Sequence, residues 1–215
     1  MTKKERYNEV LGYLSKISPP ADTELFYHNP FELLVAVVLS AQCTDKRVNM
    51  VVKDLFRDFP TPQKMAQTDT ETVLSYIHSI SYPNSKAKYL VGLSKMLVNK
   101  FDSKVPSTVE ELTLLPGVGR KTANVVQAIA FGKPALAVDT HVFRVSHRLG
   151  LVSKAANTPY KVEMELIKNI PTENIVQSHF WLLYFGRYTC TSQRPNCKDC
   201  KLKELCLFFK KQKPS

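Results

Sequence analysis

A proline and two glycines set inside an apolar run restrict this chain more than any other stretch. In Leu114-Leu115-Pro116-Gly117-Val118-Gly119-Arg120-Lys121-Thr122-Ala123-Asn124-Val125-Val126 the glycines flank one apolar residue. That predicts a very tight turn, because glycine alone takes positive φ freely. Pro116 stops whatever precedes it, and Ala123, Val126, Gln127 and Ala130 at helical spacing predict a helix from Arg120 to Phe131. The order is helix end, glycine turn, new helix. Such a turn leaves main-chain N–H groups unpaired and aimed outward, where they suit a phosphate oxygen.

Lys121 falls in the first turn of the second helix. There the positive end of the helix dipole disfavours an ammonium and favours the neutral, nucleophilic amine. Asp139, in Val138-Asp139-Thr140-His141, stands where a carboxylate caps the following helix. On spacing alone two readings stay open. Lys121 is a solvated phosphate contact and Asp139 a plain cap, or the two are catalytic groups.

Lys and Arg number 30 against 19 Asp and Glu, a net charge of +11. That excess favours a polyanionic partner, nucleic acid before an anionic membrane surface. No apolar run reaches membrane-spanning length, and Met1-Thr2-Lys3-Lys4-Glu5-Arg6 lacks the apolar stretch of an export signal, so a cytoplasmic, non-secreted protein is expected. In that compartment the five cysteines do not predict a disulfide framework. Four of them, Cys190, Cys197, Cys200 and Cys206, crowd one segment as Cys-x6-Cys-x2-Cys-x5-Cys and point to a metal. Zinc sites usually bring two close pairs and here there is one, which leaves an iron–sulfur cluster ahead of zinc with both open. Cys43 stands apart and reads as a packed thiol.

The rest of the chain reads as helices. Thr2 with Glu5 and Ser107 with Glu110 have the spacing of capping boxes. Tyr7, Val10, Leu11, Leu14 and Ile17 form one face of a first helix that Pro19-Pro20 ends. Asn29-Pro30 caps a segment, Phe31 to Ala41, that is apolar nearly all round, as expected of a helix at the centre of a core, with Gln42 terminating it. Further helices are expected over residues 44–59, 62–66, 70–78, 84–101, 140–149, 159–169 and 172–184, with Ser94 the one polar interruption of an inward face and Trp181 in the core. No strand alternation appears, so the fold class is all-α with roughly ten helices.

Leu-Pro-Gly-Val-Gly-Arg-Lys-Thr-Ala followed by Val-Asp-Thr-His-Val-Phe-Arg resembles the helix–hairpin–helix and Gly/Pro-rich loop of DNA base-excision glycosylases, and most of all the endonuclease III family. The resemblance runs from Pro30 to Cys206. It implies two helical domains with a cleft between them: residues 23–133 as a six-helix domain carrying the hairpin, and residues 1–22 with 134–215 as an iron–sulfur domain built from both termini. It implies that Lys121 attacks the sugar, that Asp139 assists, and that Cys190, Cys197, Cys200 and Cys206 hold a 4Fe–4S cluster of structural purpose. It also moves Gln42, in Leu39-Ser40-Ala41-Gln42-Cys43-Thr44-Asp45, from a helix-end cap to a probe filling the gap left by an extruded base.

Tyr82 occupies the bulky position that fills space opposite the flipped base. Its loop, Ser81-Tyr82-Pro83-Asn84-Ser85-Lys86, departs from the family's Gly, bulky apolar residue and aromatic before Asn-x-Lys-Ala, and reads equally as an ordinary Pro-Asn turn. Gly117, Gly119, Arg120 and His141 complete the expected DNA contacts. Around the cysteines, Arg194, Lys198, Lys201, Lys203, Lys210, Lys211 and Lys213 face only Asp199 and Glu204, and Lys198 and Lys201 are the expected phosphate contacts. The activity implied is a bifunctional glycosylase and abasic-site lyase of base-excision repair, acting as a monomer in a bacterium on duplex DNA with a damaged base, oxidised pyrimidines first, or an abasic site. Two rivals remain at this point: a monofunctional glycosylase like the adenine-mispair enzymes, which lack this lysine, and a non-enzymatic DNA-binding module.

Overall fold

The computed structural model describes residues 1–18 and 22–212. The described residues hold twelve α-helices and no strand: α1 (Lys3–Ile17), α2 (Pro30–Ser40), α3 (Asp45–Asp58), α4 (Pro62–Gln67), α5 (Thr70–Ile77), α6 (Pro83–Lys100), α7 (Val109–Leu112), α8 (Arg120–Phe131), α9 (Thr140–Leu149), α10 (Pro159–Asn169), α11 (Ile175–Tyr184) and α12 (Leu207–Gln212). A 3₁₀ turn, Thr172–Asn174, precedes α11 and a π-helical turn, Phe185–Thr189, follows it. The chain divides into two compact units, Thr23–Lys133 and Met1–Asp22 with Pro134–Ser215.

In the first unit every residue of α2 from Phe31 to Leu39 is buried, as a helix without a polar face demands. The Asn29 side chain accepts the Glu32 amide, and Pro30 occupies the first turn, where its missing N–H costs nothing. The helices α3, α6 and α8 pack against α2, and α6 also receives α4 and α5. On α6, Ala87, Leu90, Val91 and Leu97 turn inward. Ser94 among them is fully buried and its hydroxyl has no hydrogen-bond partner among the described residues. This unit has seven helices rather than six, the extra one being the single turn α7.

The cap of α7 differs from its sequence reading. Thr108, not Ser107, accepts the amide of Glu111, and its hydroxyl donates to the Glu111 carboxylate at 2.7 Å. Ser107 is committed elsewhere: its carbonyl accepts from Gln127 Nε2 at 3.0 Å and Lys133 Nζ at 2.9 Å, which ties this loop to the end of α8. With Ser107 held there, the next hydroxyl takes the cap.

In the second unit, Thr2 and Glu5 form the expected capping box on α1, and Tyr7, Val10, Leu11 and Leu14 are buried. Ile17, expected on that face, is 48% exposed in the last turn. The Pro19-Pro20 stop and Lys213 lie outside the described residues. The Tyr7 hydroxyl donates to the Leu151 carbonyl at 2.9 Å, and Arg6 donates to the carbonyls of Leu149 and Leu205. Those bonds fasten α1 to the end of α9 and to the loop before α12. Trp181 is in the core, 8% exposed.

Candidate functional site

Leu115, Pro116, Gly117 and Val118 form a hydrogen-bonded turn, with the Val118 amide donating to the Leu115 carbonyl at 3.1 Å. Proline second and a glycine at φ 78 third is the pattern of a type II turn. A Cβ on Gly117 would stand 2.7 Å from the Tyr89 ring, so the position excludes a side chain twice over. Gly119 behaves otherwise than the sequence suggested: its φ is −88, it is the N-cap of α8, and nothing lies within 4 Å of a Cβ placed there. What it lacks is a capping side chain. The helices α1 to α5, α7, α9 and α10 are each capped by a Thr, Asn or Asp, whereas α8 has no side-chain cap. The first-turn amides of α8 therefore miss the acceptor that most other helices in the chain provide. Arg120 and Lys121 stand exposed in that turn.

Four non-glycine residues of this unit have left-handed backbone, Asp102 at φ 50 and Ser103 at φ 57 in the loop after α6, and two of the expected site residues, Gln42 at φ 55 and Tyr82 at φ 56. The helix α2 ends at Ser40, two residues before Gln42. The Cys43 amide then donates to the Ser40 carbonyl at 3.0 Å, with Ala41 at φ −56, ψ 115, again a type II pattern. Gln42 sits where such a turn prefers glycine and is exposed. Tyr82 is the uncapped N-cap of α6, 64% exposed, and precedes Pro83. An L-residue held left-handed costs on the order of 1–2 kcal/mol. Both strained side chains point to solvent, where packing does not repay that cost.

Between them lies a residue the sequence reading passed over. Lys86, on the first turns of α6, is only 4% exposed, and its ammonium donates to the carbonyls of Leu39 at 2.8 Å and Ala41 at 2.6 Å. Burial pushes its pKa down, while the nearby Cys43 sulfur works in the opposite direction.

The second unit holds Asp139, His141 and the cysteines. Asp139 is the N-cap of α9; its Oδ1 accepts the Val142 amide at 2.8 Å, and among the described residues Oδ2 takes no hydrogen bond. One oxygen thus fixes the carboxylate while the other keeps its lone pairs. The His141 ring accepts from Arg144 at 3.2 Å. Arg144 also donates to the carbonyls of Gly186 at 2.9 Å and Cys190 at 3.1 Å. One turn on, Arg148 reaches the Cys190 sulfur at 3.4 Å and the carbonyls of Thr191 at 2.7 Å and Ser192 at 2.9 Å.

Cys190, Cys197, Cys200 and Cys206 line one pocket, walled by Leu149, Phe185, Phe208 and Phe209. Among the described residues no three His, Cys, Asp or Glu could share a single ion. Four thiols around a common apolar pocket are the donor set of a metal–thiolate centre. Burial pushes the Cys197 and Cys200 thiols up, and the neighbouring sulfurs add to it. A set of thiols that resist ionising together is one that a cationic centre would stabilise. Lys198 and Lys201 are exposed on the segment between these cysteines.

Comparison with known proteins agrees with this geometry. Residues 35–172 match the family described as HhH-GPD superfamily base excision DNA repair protein. Endonuclease III of Rickettsia conorii is 46% identical, over 94% of this chain and 95% of its own. That of Escherichia coli is 42% identical, over 98% and 99%. The solved structure of a trapped endonuclease III–DNA covalent intermediate, an estranged-adenine complex, superposes with a TM-score of 0.92 at 46% identity, covering 99% of each chain. The chain belongs to the endonuclease III family.

Within the endonuclease III fold, the first unit therefore carries Gln42, Tyr82, Gly117, Gly119, Arg120 and Lys121, and the second carries Asp139, His141, Lys198, Lys201 and the four cysteines. Three residues were given no role by the sequence reading: Lys86 and Arg144, which stand in it only as members of quoted motifs, and Arg148. A clue to the first existed, since α2 has no basic residue in its last turn to meet its terminal carbonyls. The two arginines had none, because each acts on backbone far along the chain. No helix among the described residues is long and apolar enough to cross a membrane.

Proposed function

We propose that the chain is a bifunctional DNA glycosylase and abasic-site lyase of base-excision repair, acting on oxidised pyrimidines in duplex DNA, with Lys121 as its nucleophile. The observation that carries this reading is the 46% identity, over 99% of each chain, with an endonuclease III captured as a covalent DNA intermediate. A covalent intermediate requires a nucleophile, and Lys121 offers an exposed amine beside an uncapped helix start.

The Lys121 amine forms a bond to the anomeric carbon of the extruded nucleotide while the glycosidic bond breaks and the base leaves with a proton. Asp139 Oδ2 accepts a proton or offsets the positive charge developing on the sugar. The sugar ring opens to a Schiff base, which acidifies the neighbouring carbon. Loss of that proton expels the 3′ phosphate and cuts the strand. Water then returns the amine.

Gln42 and Tyr82 fill the space the base vacates, and main-chain amides around Gly117 and Gly119, with Arg120, hold phosphates without regard to sequence. His141, Lys198 and Lys201 add contacts to the DNA backbone. Cys190, Cys197, Cys200 and Cys206 hold a 4Fe–4S cluster, which supplies four metal–sulfur links to a segment with little core of its own. Acting on chromosomal DNA, the protein works in the bacterial cytoplasm, close to the nucleoid.

Borohydride reduction in the presence of damaged duplex should leave protein and DNA joined at Lys121. A Lys121→Ala variant that still crosslinks and still nicks an abasic duplex removes the assignment. A monofunctional glycosylase would leave the abasic strand uncut.

A further inference from the structure

We propose that Lys86 is a positioning residue that locks the two extrahelical probes, Gln42 and Tyr82, into one rigid unit. This rests on the reading of those two residues given above. Lys86 meets both. Its ammonium donates at 2.6 Å to the Ala41 carbonyl, the oxygen of the peptide that leads into Gln42, and at 2.8 Å to the Leu39 carbonyl. Its own amide donates at 3.1 Å to the Tyr82 carbonyl, the first hydrogen bond of α6.

The consequence is mechanical. A peptide plane held at its oxygen cannot rotate, so the Ala41–Gln42 plane is fixed and with it the direction from which the left-handed Gln42 leaves the turn. Tyr82 is fixed at the opposite end of the same side chain and backbone. Both residues sit at φ near 55, in a region an exposed L-residue leaves unless its surroundings prevent it. Among the described residues neither side chain makes a hydrogen bond that would hold it: Gln42 is exposed and Tyr82 makes no capping bond.

The choice of lysine follows from the place. The last turn of α2 presents carbonyls without intrahelical partners and has no basic residue of its own. A cation arriving from α6 satisfies two of them, at the cost of its own desolvation, which is why burial weighs on its pKa. A neutral side chain of the same length would bury the stem equally well and leave the carbonyls and the turn free.

The test uses the full chain loaded with its cluster and a duplex carrying 2-aminopurine beside a lesion analogue, whose fluorescence rises when the neighbouring base is extruded. Lys86→Met should reduce that rise by roughly tenfold, and in a Gln42→Ala/Tyr82→Ala background the same change should add less than about twofold, because contacting residues are not additive. An undiminished fluorescence rise in Lys86→Met, or an equal loss in both backgrounds, overturns the proposal. If Gln42→Ala/Tyr82→Ala extrudes the base as the parent does, the probe reading itself fails and the role of Lys86 fails with it. Should Lys86→Met not fold, Lys86→Arg, which keeps a charge but changes the reach and geometry of the donors, carries the same cycle.

Discussion

Arg148 donates to the sulfur of Cys190 at 3.4 Å, and the same guanidinium holds the carbonyls of Thr191 and Ser192 while lying 4.2 Å from the Phe208 ring centre. A single side chain of α9 thus secures the first cysteine of the set, the two residues after it and an aromatic from α12. Lysine could not do this, having a point charge in place of a planar fork. Arg148→Lys should leave the fold in place and hasten loss of the proposed cluster. Bleaching of the visible absorbance under mild oxidant should run about tenfold faster, the usual effect of removing a hydrogen bond from a metal ligand.

Asp139 has two separable duties, one per oxygen. Asp139→Asn keeps an acceptor for the Val142 amide, so the helix start is preserved and stability should change by less than about 0.5 kcal/mol. The neutral amide cannot take a proton. Base release, followed in single turnover, should fall by roughly 10²–10⁴-fold while the melting temperature holds. A variant that loses both together would mean the carboxylate is only a cap.

The two glycines of the hairpin should respond differently to substitution. Gly117→Ala meets the Tyr89 ring and a left-handed backbone and should lower stability by at least about 1 kcal/mol in thermal melts. Gly119→Ser has open space and supplies the missing cap, so stability should rise by a few tenths of a kcal/mol. Its hydroxyl would then occupy the amides proposed to hold phosphate. The dissociation constant for duplex DNA, measured by anisotropy, should rise by roughly tenfold, or about 1.4 kcal/mol.

Glu165 predicts a pH effect. Burial alone would raise its carboxyl, but hydrogen bonds from Lys3 and from the amide and hydroxyl of Ser153 outweigh that and hold it below the ordinary glutamate range. A depressed folded-state pKa stabilises fully above the unfolded value, about 4.3, and the gain disappears as pH falls through the folded value. Melting temperatures of the parent and Glu165→Gln should differ at pH 7 and converge in acid, once the pH has fallen through the folded-state value.

Most helices could be read from the chain because their ends carry local signals. Thr2, Asn29, Thr44 and Asp139 cap the helices they were expected to open, and the wholly apolar run of α2 became the centre of a core. Local signals failed where a distant partner decided. Ser107 and Thr108 are equally good caps in isolation, and only Gln127 and Lys133 choose between them. No role was read for Lys86, because the carbonyls it meets belong to α2, more than forty residues away. The roles proposed for Lys121 and Asp139 rest on resemblance rather than spacing, since an exposed lysine and a helix cap are common in any helical protein.

The type II turns at Leu115–Val118 and Ser40–Cys43 put different residues at the same conformational position, Gly117 in one and Gln42 in the other. Selection for heat tolerance alone would draw the second toward the first: Gln42→Gly relaxes the backbone and removes nothing that packs. Tyr82→Gly would follow by the same logic. A library screened only for survival at high temperature should therefore enrich glycine at both places, and the hardier proteins it returns should be slow to repair DNA.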